Sequence, residues 1–240
     1  MFRLKFAFVC LVALGAGMAE EASVRARELA AMFYTDTLPA PKNVAQKKPA
    51  PKAAPQPAPV RRRVGLKYRL QLHDGVLTAD VDPSREFRSG DEIRLHVESN
   101  IDGYLYIVQK GSSGIAKVLF PAAEINGGSN AVRRGIPYPV PAEGFFQFDQ
   151  NPGEERLTVI VSRVALESVP QTAPAERLQI SLPTLNAELA RVVRARDLEF
   201  VKETGPVLNN AAPSSQATIW VNTSEERNDA VFADIVLKHR

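Results

Sequence analysis

Between Glu92 and Glu98 apolar and polar residues alternate one for one. Ile93, Leu95 and Val97 share one face, and Glu92, Arg94, His96 and Glu98 share the other. A period of two predicts a strand with a single buried face. Residues 100–103, with Asn100 and Gly103, predict a turn, and residues 104–108 (YLYIV) form an unbroken apolar run. A run with no polar face predicts an inner strand buried on both sides. Gly111 and Gly114 bracket the next turn, residues 116–120 return, and Pro121 stops them. The block therefore reads as three consecutive strands.

The same pattern extends in both directions. Leu66, Tyr68, Leu70 and Leu72 alternate with Lys67, Arg69 and Gln71. His73-Asp74-Gly75 supplies a tight turn, because Asp and Gly adopt positive φ readily, and residues 76–81 read as the returning strand. Residues 85–91 predict a loop. Beyond Pro121, a polar loop at 122–129 precedes short extended pieces at 130–133 and 145–148. Between those pieces the run Ile136-Pro137-Tyr138-Pro139-Val140-Pro141 excludes a helix and an inner strand, since proline cannot donate to a ladder. Asn151-Pro152-Gly153 turns the chain into a strand at 156–162. Leu185, Leu189, Val192 and Val193 have helical spacing and predict a short helix over 185–193. An extended piece at 197–202, a loop at 205–215 and strands at 217–222 and 231–237 follow. Many short strands with turn signals between them predict an all-β, immunoglobulin-like β-sandwich over 64–240 with a short helical insertion. No internal repeat is visible.

The first 63 residues differ in kind. Arg3 and Lys5 precede an apolar run at 6–15, and Gly17 and Ala19 flank Met18. This is the layout of a signal peptide over 1–19, cleaved before Glu20, which predicts an exported protein, periplasmic or secreted. The run is short of the ~20 residues that span a bilayer, so no transmembrane segment is expected after processing. Cys10 is the only cysteine and lies inside the apolar run behind the bulky Val9, unlike a lipid-modified cysteine. A mature chain without cysteine relies on its core alone. Residues 20–34 form a short helical candidate, marginal by itself in water, read as a remnant after cleavage or a docking peptide for a partner. Residues 39–59, rich in Pro, Ala and Lys, predict a disordered, semi-stiff spacer.

Charge sharpens this division. The net charge is +3, but residues 42–63 hold seven Lys and Arg and no acid, whereas residues 64–240 hold 19 Lys and Arg against 23 Asp and Glu. A nucleic-acid-binding fold carries its basic patch on the fold itself, so nucleic acid is not an expected partner. The basic linker suits contact with anionic lipid or cell-wall polymer.

Several short motifs recur in a recognisable order: Gly90-Asp91, Gly103-Tyr104-Leu105-Tyr106, Leu119-Phe120-Pro121, Pro139-Val140-Pro141, Pro152-Gly153-Glu154 and the closing residues 235–240. Together they resemble the bacterial domain of unknown function 4384, over about 64–240. The leader with Arg25-Ala26-Arg27-Glu28-Leu29 and its Pro-rich spacer is similar to those of stand-alone secreted members. The resemblance implies an exported or module-attached domain with no established activity and no catalytic residues to carry over.

The residues offer little chemistry of their own. Ser112 and Ser113 sit between glycines, but Ile115 stands where a nucleophile elbow needs Gly. His73, His96 and His239 lack zinc spacing, and Asp74, Asp80 and Asp82 lack the spacing of a calcium loop. Glu154 and Glu155, considered with Asp149 as glycosidase carboxylates, are neighbours on a strand and must point to opposite faces. No cofactor is expected. Aromatic residues at loops are a common recognition device, and Tyr138, Pro139, Phe145 and Trp220 form the candidate binding surface, Tyr138 being expected on the outside because prolines flank it. The predicted role is a non-enzymatic envelope module that binds a protein or an envelope polymer. The alternatives are an envelope hydrolase built from distant carboxylates and a purely structural component.

Overall fold

The computed structural model describes residues 10–35, 62–111, 114–172, 178–204 and 216–240. Helix α1 (Cys10–Tyr34) comes first. Strands β1 (Gly65–His73), β2 (Thr78–Val81), β3 (Glu86–Phe87), β4 (Glu92–Ser99), β5 (Gly103–Lys110), β6 (Ala116–Phe120), β7 (Ala131–Val132), β8 (Pro137–Val140), β9 (Phe146–Gln147) and β10 (Gly153–Ser162) follow. Helix α2 (Leu182–Val192) separates these from β11 (Leu198–Thr204), β12 (Gln216–Asn222) and β13 (Ala230–His239).

The strands form two sheets. Sheet 1 has the order β11-β12-β1-β4-β8, with β2 paired to β1 and β9 to β4. Sheet 2 has the order β3-β13-β10-β5-β6, with β7 paired to β5. The inward faces meet in one core: Leu66, Leu70, Leu95 and Val97 from sheet 1 pack with Leu105, Ile107, Val159 and Ile235 from sheet 2. This is the expected β-sandwich, with the helical insertion lying between β10 and β11. As its apolar run predicts, β5 is buried on both faces. Leu105 and Ile107 enter the inter-sheet core, and Tyr106 and Val108 enter a second core with Leu185 and Leu189 of α2. The insertion therefore covers the outer face of sheet 2. It begins three residues before the predicted start, at Leu182, because Ser181 caps it and Pro183 fits its first turn.

Other differences have local causes. The returning strand starts at Thr78, since Asp74 Oδ1 accepts hydrogen bonds from the Val76 and Leu77 amides (3.0 and 2.8 Å) and keeps both in the turn. Part of the 85–91 loop pairs in parallel with the end of β13. The proline-rich run forms the edge strand β8, where its missing donors do no harm.

Helix α1 is neither a free remnant nor a peptide held for another protein. It lies on the outer face of sheet 1, where Leu29 and Phe33 pack on Ile219 and Val221. Arg25 Nε donates to Glu199 on β11 (2.8 Å), with a second bond from its Nη2, and holds that carboxyl below the usual glutamate range. Asn100 completes the seat. Its Nδ2 donates to the carbonyls of Phe33 (3.0 Å) and Arg63 (2.9 Å), and its Oδ1 accepts from the Gly65 amide (2.8 Å). Arg62 Nη1 reaches the Tyr34 carbonyl at 3.5 Å. Tyr34 and Arg62 thus meet on the sandwich, while the predicted spacer at 39–59 lies outside the described residues.

Two outcomes are expected. Leu105→Ala should lower unfolding free energy by ~2–5 kcal/mol, the range for emptying a packed aliphatic site, measured by denaturant unfolding. At Gly65 an added Cβ would lie 2.8 Å from Phe33 Cδ2. Gly65→Ala should therefore loosen α1, seen as faster amide exchange in residues 25–34 while β5 and β10 keep their protection.

Candidate functional site

The inter-sheet core is left open at one end, beside β9. Here a groove of about 330 Å³ enters between the sheets. Its floor is Ile93, Leu119, Leu157 and Leu237, and Phe146 and Phe148 form a wall. Gln109, Asp149, Glu155 and His239 bring polar groups to its lining.

Period-two geometry on β10 explains the acid. Glu155, Leu157, Val159 and Val161 point inward. Glu154 points outward, where Arg156 neutralises it at 3.1 Å. Glu155 is half-buried, and its Oε2 accepts from Gln109 Nε2 at 2.9 Å. His239 is buried, within 3.1 Å of Ser89 Oγ through Nε2, and its ring lies 5.1 Å from that of Phe148. Phe148 in turn stacks on Phe87 at 5.0 Å, so the wall is braced from behind. Asp149 stands exposed at the rim. The Asn151 side chain and backbone amide both donate to its carboxylate (3.0 and 2.7 Å) and hold it below the usual aspartate range.

The four residues chosen from sequence do not gather into one surface. Tyr138 is a correction: it is 8 % exposed, in the core, with its hydroxyl accepting from the Arg133 amide at 3.0 Å. On the edge strand β8, prolines 137 and 139 face away while Tyr138 and Val140 turn inward opposite Val97 and Leu95. Flanking prolines remove donors without changing which way the side chain between them points. Pro139 is half-buried opposite His96. Trp220 stacks on Phe200 at 4.8 Å, on β12 near the other edge of sheet 1. Three strand spacings, roughly 14 Å, separate β12 from β8. Phe145 alone of the four lines the groove, held between His73 (ring centroids 4.7 Å) and Arg94 (4.5 Å).

Of the residues weighed for chemistry, Asp149 and Glu155 do share a groove, whereas Glu154 is excluded from it. Asp74 closes a turn, Asp80 pairs with Arg69 (3.2 Å) and Asp82 with Lys202 (2.6 Å). Among the described residues no three His, Cys, Asp or Glu side chains are grouped to hold a metal. Ser112 and Ser113 lie outside the described residues. Among those residues no helix is long and apolar enough to cross a membrane. Gln109, Leu119, Leu237 and His239 carried no signal of a site, being ordinary positions on three separate strands, β5, β6 and β13.

Residues 86–165 match the family described as Domain of unknown function (DUF4384). This match supports a DUF4384-type domain in that stretch. Neither a curated protein nor a solved structure matches the chain. The matched stretch runs from β3 through β10 and supplies the groove except for Leu237 and His239 of β13. It is not a closed structural unit, because β13 lies between β3 and β10 in sheet 2 and β1 pairs with β4 in sheet 1. The flanking strands β1, β11, β12 and β13, outside the matched residues, complete the two sheets.

Removing the Asn151 side chain should loosen the hold on Asp149. In Asn151→Ala the Asp149 carboxyl should titrate at higher pH, closer to the ordinary value of about 3.9, as followed by carboxyl-carbon NMR.

Proposed function

We propose that this protein is an exported, non-enzymatic binding module of the bacterial cell envelope and that the groove beside β9 is where it takes a protein or envelope-polymer ligand. The observation that carries the reading is an apolar floor left open at one end of a sandwich whose outer faces α1 and α2 partly cover. Ligand sites are concave and mainly apolar, with a few convergent polar groups. Asp149 does not suit the part of a general acid, which needs a raised pKa, because Asn151 shifts its carboxyl the other way. Export is supported by the apolar leader. The contacts that Arg25, Leu29 and Phe33 of α1 make with the sandwich lie beyond Glu20, so cleavage there leaves them in the chain. The basic residues of 42–63 add a second, salt-sensitive contact with anionic lipid or cell wall, each close charge contributing about 1 kcal/mol at such a surface.

One observation favours a hydrolase as the second reading: Asp149 and Glu155 line the same groove. Peptide, glycan or ester cleavage lost in Glu155→Gln would establish it in place of the first.

The full chain, expressed in a bacterium, should be recovered outside the cytoplasm with a mass beginning at Glu20. An uncleaved cytoplasmic product would refute export. At high salt, where the basic segment is screened, retention on envelope fragments should depend on the groove. Gln147→Trp, placed at its exposed mouth, should abolish that retention without altering the unfolding curve. Unchanged retention would remove the groove from the proposal.

A further inference from the structure

We propose that the groove receives the side chain of an arginine from an extended segment of a protein partner. The inference rests on the groove being the recognition site. Its volume of about 330 Å³ lies at the small end of ligand sites, about 300–1,000 Å³, which suits one long side chain better than a cofactor. The floor of Ile93, Leu119, Leu157 and Leu237 matches the methylene stem of such a side chain. The polar end of the groove then selects the head group. Among the described residues Glu155 makes a single hydrogen bond, from the neutral amide of Gln109, and has no cation paired with it. Its neighbour Glu154 already has Arg156. A half-buried carboxylate with spare acceptor capacity, beside an apolar floor, attracts a cation more strongly than an exposed one does.

A guanidinium suits this site best, because its planar fork matches a carboxylate bidentately. Asp149 at the rim is held ionised by Asn151, so the mouth carries negative charge. His239, the other titratable residue lining the groove, has Ser89 at hydrogen-bond distance behind it. The complementarity is thus apolar inside and acidic at the head.

The test uses the isotope-labelled full chain and three capped tripeptides, Ala-X-Ala, in which X is arginine, its neutral isostere citrulline, or norleucine. The arginine peptide should shift the amides of Leu119, Phe146 and Leu157, and bind at least about tenfold more tightly than the citrulline peptide, as a charged hydrogen bond implies. Glu155→Gln should abolish that preference while leaving the norleucine affinity unchanged. Added salt should weaken only the arginine peptide, which reads the same charge in the unaltered protein. Equal binding of arginine and citrulline, or a preference that survives Glu155→Gln, would overturn the inference and leave the groove as an apolar site. Shifts confined to other regions would also overturn it. No shift with any peptide would overturn the groove reading as well.

Discussion

Strand β5 and the second half of β10, residues 159–162, are buried on both faces and paired along both edges, and the rest of the fold is arranged to make that possible. Leu105, Ile107, Val159 and Val161 fill the inter-sheet core, while Tyr106, Val108 and Ile160 project from the opposite face. An apolar outer face cannot be left to water, so α2 and the segment leading to it cover it with Leu166, Val169, Leu185 and Leu189. The cover also satisfies polar groups. The Tyr106 hydroxyl accepts from the Leu166 amide at 2.8 Å, and Glu188 of α2 accepts from the amides of Glu167 and Ser168. A single hydrogen-bonded insertion thereby converts a two-layer sandwich into a three-layer one on that side.

The opposite side is closed by α1 with much less apolar surface, Leu29 and Phe33 being its buried side chains. Polar fixation compensates. Asn100 bonds the Phe33 and Arg63 carbonyls and the Gly65 amide, while Asn228 Oδ1 accepts from the Val64 amide at 2.7 Å. Buried asparagines of this kind specify one arrangement because any slip would leave several polar groups unpaired. The entry of the chain into β1 and the seat of the helix are consequently one structure. Cleavage at the leader boundary would not disturb it.

The groove is where this closure stops. On β5 and β10 the inward alternation runs one position past the packed core, to Gln109 and Glu155, and on β13 it runs on to His239, while Ile93 and Leu237 still belong to the core. Polar residues at inward positions are costly unless they have water or a ligand to meet. At this end the groove gives Gln109 and Glu155 something other than packed apolar core to face.

Much of the architecture was legible from local pattern. The alternation of Ile93, Leu95 and Val97, the unbroken run at 104–108 and the prolines at 137, 139 and 141 determine one-faced, two-faced and edge strands respectively, because side-chain direction in a strand has a period of two. The same rule, applied through Tyr138, would have placed that ring inside. Reading its flanking prolines as a sign of exposure put it outside. What tertiary structure alone decided was which strand ends meet. Gln109, Leu119, Glu155 and His239 lie on four different strands, and no spacing in the chain relates them; only the sheet orders bring them to one groove. The seat of α1 is of the same kind. A short helix has no stable face in water, and it acquires one from Ile219 and Val221, nearly two hundred residues away along the chain.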